Sequence, residues 1–218
     1  MIYIANWKQN KSQFEVDEWL RDFLAYQEGV FLSDSDKIVI CPPSIYLKQM
    51  HDFVKGNNFD IGVGAQDVSV HLEGAHTGEL GVFQIADYAD YCIVGHSERR
   101  AMGETAEQIN LKIENLLEYG LNPIVCFSSL DEFNAISRPK VNAENIMYAF
   151  EPISAIGSGN PADPLVVAEI LSKTGLQELI YGGSVKSENI EQYKNIPGVN
   201  GFLVGGSSLS CRAFLDLI

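Results

Sequence analysis

The chain has 218 residues, of which 46% are hydrophobic and 20% charged; that is enough apolar content for a substantial core, with the charge content of an ordinary globular domain. Asp and Glu number 29 against 15 Lys and Arg, a formal net charge of −14, which repels nucleic acid and anionic membrane surfaces. No apolar run approaches the roughly 18 residues of a membrane span, and Met1-Ile2-Tyr3-Ile4-Ala5-Asn6 lacks a basic region before an apolar stretch. A cytoplasmic protein is expected, binding neither nucleic acid nor membrane.

In chain order, short apolar runs at Ile2–Asn6, Lys37–Cys41, Asp60–Ala65, Tyr91–Gly95, Pro123–Phe127, Asn145–Phe150, Glu178–Gly182 and Gly201–Gly205 read as eight strands. They are continuous, not alternating, as expected of parallel strands covered on both faces. Between them lie helical patterns: Phe14, Trp19, Leu20, Phe23 and Leu24; then Tyr46, Leu47, Met50, Phe53 and Val54; later Ile109, Leu111, Ile113, Leu116 and Leu117, each set read as one face against a sheet. Right-handed crossovers set each strand parallel to the last, and eight such units can close a barrel. A doubly wound open sheet is the rival, but no Gly-x-Gly-x-x-Gly follows the first strand. With no linker or low-complexity tract, residues 1–218 read as a single domain.

In such a barrel the catalytic groups sit at the C-terminal ends of the strands. The first strand runs into Asn6-Trp7-Lys8 and the fourth into Gly95-His96-Ser97-Glu98. The sixth ends in Glu151, followed by a loop, Ile153 to Ala162, containing Gly157 and Gly159. A carboxylate there is either a solvated strand-end acid or a base beneath a lid that excludes water. The seventh and eighth strands end in Gly182-Gly183-Ser184 and Gly205-Gly206-Ser207, opening onto helices read at Ser187–Lys194 and Ser208–Leu217. Each Gly-Gly turn is either a tight corner or a backbone cradle for phosphate at a helix N-terminus. Two on the final units favour the cradle, the local device an acidic chain needs to hold an anion. Lys8 as cation, His96 as neutral donor and Glu151 as carboxylate suit proton transfer beside a carbonyl on a small phosphorylated molecule.

The stretches Asn6-Trp7-Lys8, Ala75-His76-Thr77-Gly78-Glu79, Val94-Gly95-His96-Ser97-Glu98-Arg99-Arg100, Phe150-Glu151-Pro152 with Ala155-Ile156-Gly157-Ser158-Gly159, Tyr181-Gly182-Gly183-Ser184-Val185 and Leu203-Val204-Gly205-Gly206-Ser207-Ser208-Leu209 resemble the triosephosphate isomerase family, in order and nearly end to end. The resemblance implies a TIM barrel that interconverts dihydroxyacetone phosphate and D-glyceraldehyde 3-phosphate through an enediolate, in glycolysis and gluconeogenesis. It implies Glu151 as the base, His96 as electrophile, Lys8 as the site cation with Asn6 positioning and Glu98 supporting it, and amides at Gly157, Ser184, Gly205 and Gly206 for the phosphate. The family is itself a standard illustration of a neutral imidazole at a helix N-terminus and of lid closure. No cofactor is implied and no metal, since His51, His71, His76 and His96 show no ligand spacing. Homodimerisation is implied through the loop Gln66–Glu79, with Thr77 near the partner's Asn6 and Lys8.

The chain also departs from that pattern. It is shorter than the roughly 250 residues usual for the fold, and the shortage falls between Cys126 and Glu151, where Ser128-Ser129-Leu130 replaces a Gly-Glu turn. A truncated fifth helical unit is therefore expected, missing or of one turn. Ser154 stands where the family usually has tryptophan, Asn160-Pro161-Ala162 replaces Lys-Thr-Ala, and His76 replaces an aromatic residue. Cys126 reads as a packing thiol, with no positive group expected beside it. Two rivals remain: another phosphosugar barrel enzyme, which would need metal ligands or a Schiff-base lysine, and a non-catalytic relative, which Lys8, His96 and Glu151 together argue against.

Overall fold

The computed structural model of the chain describes residues 1–29, 33, 35–136, 145–155 and 160–218. Its strands are β1 (Ile2–Asn6), β2 (Lys37–Cys41), β3 (Ile61–Ala65), β4 (Tyr91–Val94), β5 (Asn122–Phe127), β6 (Met147–Phe150), β7 (Leu179–Tyr181) and β8 (Val199–Val204). They pair in sequence order, every pair parallel, and β8 closes onto β1. The helices are α1 (Gln13–Tyr26), α2 (Leu47–Gly56), α3 (Val82–Ile85), α4 (Ser97–Ala101), α5 (Ala106–Glu118), α6 (Leu130–Ala135), α7 (Pro164–Thr174), α8 (Ile190–Lys194) and α9 (Cys211–Leu215). The closed ring is a (β/α)8 TIM barrel and excludes the open sheet.

Successive strand residues point to opposite faces, and that two-residue period divides the core. Ile2, Ile4, Val39, Cys41, Ile93, Ile124, Cys126, Ala149, Ile180 and Leu203 form one cluster, the filling of the barrel. Their neighbours Tyr3, Ala5, Ile38, Ile40, Val125, Phe127, Phe150, Phe202 and Val204 belong to a second cluster together with Trp19, Met50, Ile113 and Phe214 from the helices. Because both faces of the strands are covered over most of their length, the strand sequences carry no regular polar alternation. The inward series has a consequence at the mouth. Continuing it by one period gives Asn6, Glu151, Gly182 and Gly205.

Local sequence sets the helix ends. In α1, Ser12 accepts from the Glu15 N–H while Glu15 Oε2 accepts from the Ser12 N–H at 2.7 Å, a reciprocal cap worth about 1 kcal/mol. In α7, Asp163 caps, Pro164 takes the first turn and Gly175, at φ 67°, ends the helix in the left-handed region, which glycine adopts without a Cβ clash. Two of the expected helices are shorter than read. The Ser187–Lys194 pattern forms a helix only over Ile190–Lys194, and Ser208–Leu217 divides into a 3₁₀ turn, Gly206–Leu209, and α9. Ser184 has φ 47° and Asn189 donates to its carbonyl at 3.0 Å, so the β7 turn takes up the residues expected to begin α8. Ser210, extended, separates the 3₁₀ turn from α9.

Parts of the expected helix faces point outward. Phe14 is 66% exposed, and Leu24 and Leu111 are exposed as well, while Val16, Trp19, Leu20 and Phe23 carry the buried side of α1. The connection between β5 and β6 contains α6, with the Ser129 side chain accepting from the Glu132 N–H; residues 137–144 lie outside the described residues. No helix among the described residues is long and apolar enough to cross a membrane.

Candidate active site

Asn6, Glu151, Gly182 and Gly205, the residues one period beyond the barrel filling, all line a cleft of about 550 Å³ together with Lys8, Asn10, His96, Gly183, Ser184, Lys186, Gly206 and Ser207. Every β-strand C-terminus opens on this side of a parallel barrel, which is why residues so far apart in sequence meet there.

His96 follows β4 and is the N-cap of α4, with its Nδ1 accepting from the Glu98 N–H at 3.1 Å. Its Nε2 stands 3.0 Å from Glu151 Oε1. A nitrogen that accepts carries no proton, and one that faces a carboxylate must donate, so the geometry defines a neutral imidazole protonated on Nε2. Both side chains are buried, His96 at 5% and Glu151 at 3% exposed. A buried carboxylate left unpaired costs several kcal/mol. Here Oε1 accepts from His96 and Oε2 from the Ser97 N–H at 3.4 Å.

Cys126, inside the barrel below, is a third neighbour. Burial pushes its thiol well above the ordinary range, and the charge and hydrogen bonding of Glu151 push it further, which keeps the proton on sulfur. Contrary to the sequence reading, a cation does lie near it: Arg100 Nη2 donates to the Cys126 carbonyl at 3.0 Å and Nε to the Gly95 carbonyl at 2.8 Å. Arg100 thus staples the ends of β4 and β5 beneath the His96–Glu151 pair. Glu132 of α6 lies 3.5 Å from Arg100 Nε and accepts from the Ser128 N–H and hydroxyl. It supplies a carboxylate in the turn where Ser128-Ser129 replaced an acidic residue.

Lys8 sits at φ 53°, a left-handed conformation that a non-glycine residue holds only under constraint. The constraints are visible. Asn6 Oδ1 accepts from the Lys8 N–H at 3.0 Å, and Gln66 Nε2 donates to the carbonyls of Lys8 at 3.0 Å and Cys41 at 2.9 Å. Lys8 Nζ pairs with Glu98 Oε1 at 2.7 Å. Glu98 is 56% exposed, so the pair sits at the solvent-exposed cleft mouth, where such pairs contribute about 0–1 kcal/mol; its effect is to aim the ammonium.

The opposite wall is backbone. Ser184 donates its hydroxyl to the Ala155 carbonyl at 2.6 Å, Ser207 to Val185 at 2.9 Å, and Ser208 to Gly205 at 2.6 Å. No acceptor among the described residues takes the N–H of Gly183, Ser184, Gly206 or Ser207, which leaves these amides open to an anion. Of the expected amide donors, Gly157 lies outside the described residues. Beyond that segment, the Ala162 N–H donates to Tyr181 Oη at 2.8 Å and its carbonyl accepts from Tyr193 Oη, so both described ends of the loop are tied to the β7 side. No cluster of three His, Cys, Asp or Glu among the described residues is arranged to hold a metal ion.

Gln66, Arg100, Asn10 and Lys186 were given no role in the site by the sequence. Gln66 directly follows β3, so the strand-end rule that found Asn6 and Glu151 also reaches it; Arg100 acts through main-chain carbonyls and leaves no such signal. At two glycines in the site a Cβ would force a neighbouring side chain to move. A Cβ at Gly183 would stand 2.6 Å from Tyr181 Oη, and one at Gly182 would stand 2.9 Å from Glu151 Cγ.

Comparison with known proteins bears on this geometry. The family model described as Triosephosphate isomerase matches residues 1–218. A triosephosphate isomerase of Symbiobacterium thermophilum is 36% identical over 98% of this chain and 93% of its own length. Those of Aquifex aeolicus, at 32% over 100% and 98%, and Carboxydothermus hydrogenoformans, at 35% over 98% and 96%, are similar to it to the same degree.

The space at Gly182 yields a prediction. Gly182→Ala forces the Glu151 side chain aside by part of an ångström, and misplacement of about 1 Å at a reacting centre costs about a hundredfold. The variant is expected to fold and to lose about tenfold in turnover of triose phosphate, less than the full factor because the shift is smaller; turnover within about threefold of the parent contradicts the rigidity argued for the pair.

Proposed function

The chain belongs to the triosephosphate isomerase family, and from that premise we propose how its residues carry the isomerisation of triose phosphates. The reading is a carbon-to-carbon proton transfer between dihydroxyacetone phosphate and D-glyceraldehyde 3-phosphate, with Glu151 as base. The observation that carries it is the buried Glu151 carboxylate, hydrogen-bonded to a neutral imidazole 3.0 Å away inside a cleft that also holds Lys8 and open amides.

In this mechanism the substrate carbonyl oxygen takes over the Nε2–H of His96, releasing Glu151 to abstract the proton from the adjacent carbon. The C–H electrons form the carbon–carbon double bond of an enediolate, and the carbonyl electrons move onto its oxygen. Charge develops on that oxygen, where the His96 N–H and the Lys8 ammonium are already oriented, so the stabilisation requires no reorganisation at the moment of reaction. Proton exchange between the two oxygens through His96, then return of the proton from Glu151 to the other carbon, completes the isomerisation. Asn6 holds Lys8, Glu98 aims it, and amides at Ser184, Gly205, Gly206 and Gly157 bind the phosphate beneath the Ile153–Ala162 loop. Water excluded from such a site cannot protonate the enediolate or divert it.

We further propose a homodimer through the Gln66–Glu79 loop. Residues 71–80, Thr77 included, are exposed throughout, yet the loop is internally bonded, with the Ser69 N–H donating to Leu80 at 2.8 Å and the Glu79 N–H to His76 at 3.0 Å. An ordered loop that projects from a barrel without cover suits insertion into a partner. Sedimentation at micromolar concentration is expected to give a dimer; a fully active monomer contradicts this.

The base is tested by Glu151→Gln and Glu151→Asp. Removing the basic oxygen is expected to lower turnover by about 10²–10⁴-fold, with KM changed by less than about threefold, and to lower solvent-hydrogen exchange into dihydroxyacetone phosphate to the same extent. Withdrawal by one methylene in Glu151→Asp is expected to cost on the order of a hundredfold. Turnover and exchange by Glu151→Gln within about tenfold of the parent reject the assignment.

A further inference from the structure

We infer that Lys11 is a positioning residue for the anion cradle, its ammonium holding the 206–209 turn so that the N–H groups of that turn face the cleft. The inference rests on reading the open amides as the phosphate site.

Lys11 lies three residues beyond Lys8 and does not line the cleft. Its ammonium points behind the β8 turn, where Nζ donates to the Leu209 carbonyl at 2.7 Å and stands 4.9 Å above the Trp7 ring. Its backbone is at φ 74°, left-handed in a residue with a Cβ, and its carbonyl accepts from Tyr46 Oη at 3.2 Å. A non-glycine residue keeps that conformation only when its surroundings hold it. The side chain reaches a turn 198 positions away in sequence, so Lys11 joins the loops that follow β1, β2 and β8.

Its contact with Leu209 is one of a pair. Trp19 of α1 donates its Nε1–H to the preceding carbonyl, Ser208, at 3.1 Å. Two consecutive carbonyls of the Gly206–Leu209 turn are therefore drawn toward α1 and the β1 loop. In a helical turn the C=O and N–H groups point in opposite directions along the axis, so fixing the carbonyls behind the turn fixes the Gly206 and Ser207 amides in front. The donor to Leu209 is charged and half-buried, the class of hydrogen bond stronger than a neutral one. Burial lowers the tendency of Lys11 to carry its proton, with Glu15, Cys211 and Glu18 acting in the other direction. Lys8 faces substrate and Lys11 faces the back of the turn that would bind it.

The test uses inorganic phosphate as a competitive probe and glyceraldehyde 3-phosphate as substrate, with the full chain carrying Lys11→Met, Lys11→Arg or Trp19→Phe. Lys11→Met keeps the apolar stem over Trp7 and removes the donor. It is expected to weaken phosphate inhibition and to raise KM together by about tenfold, the loss of one charge-assisted hydrogen bond, with kcat within about threefold. Lys11→Arg restores a donor and is expected to stay within about threefold of the parent on both readouts. Trp19→Phe, which keeps aromatic packing, is expected to shift both in the same direction by a smaller factor, and it carries the test if Lys11→Met does not fold.

Phosphate inhibition and KM within about twofold of the parent in Lys11→Met, or in Trp19→Phe where it stands in, overturn the inference. So does a Lys11→Arg loss as large as that of Lys11→Met, or a Lys11→Met loss confined to kcat. Phosphate that fails to compete with substrate in the parent itself overturns the cradle reading and with it this inference, whereas competition in the parent with no effect of Lys11→Met overturns the inference alone.

Discussion

The hydrogen bond between His96 and Glu151 is the contact on which the site depends, and it spans one intervening strand of the barrel. His96 follows β4 and Glu151 follows β6, which are not neighbours in the ring; β5 lies between them and ends in Cys126 and Phe127. An arginine ties the main chain at the ends of β4 and β5, and the Glu151 N–H donates to the Phe127 carbonyl at 2.8 Å, tying β5 to β6. The two functional groups are therefore joined twice, through side chains across the cleft and through the backbone beneath it. Each bond removes freedom from the carboxylate that the proposed mechanism needs in one place.

Charge explains why the opposite wall is made of backbone. A chain with net charge −14 cannot hold a phosphate by its overall field. Small residues at Gly182, Gly183, Gly205 and Gly206 let main-chain N–H groups come to the surface of the cleft, and serine hydroxyls turn away to bind neighbouring carbonyls. Among the described residues lining the cleft, only Lys8 and Lys186 carry positive charge. The site thus sets its cations against a wall of main-chain dipoles.

Much of this was legible in the sequence. Continuous apolar runs marked all eight strands, because burial on both faces leaves no polar residue to break them, and the motifs at the strand ends named Asn6, Lys8, His96 and Glu151. Helices read less well. α3 and α4 are too short to show a 3.6-residue period, and Phe14 and Leu111 are apolar residues on exposed faces, where composition alone does not distinguish core from surface. Lys112 shows the reverse. It lies on α5 with 4% exposure, its ammonium donating to Asp67 at 2.6 Å and to Glu104, while Arg99 pairs with Asp67 at 2.9 Å. A hydropathy pattern assigns such a residue to solvent; its partners come from the β3 and β4 connections and meet only in three dimensions. Gln66, Arg100 and Lys11 share that character, since each acts on a distant carbonyl.

His96 is a neutral imidazole carrying its proton on Nε2, toward Glu151, with Nδ1 occupied by the Glu98 N–H. Selective ¹⁵N labelling of histidine and NMR of the ligand-free protein at pH 7.5 measure this directly, with a His96→Gln variant assigning the resonance. One protonated nitrogen, Nε2, and an unprotonated Nδ1 are expected. A proton on Nδ1, in either the other tautomer or the imidazolium, would contradict this.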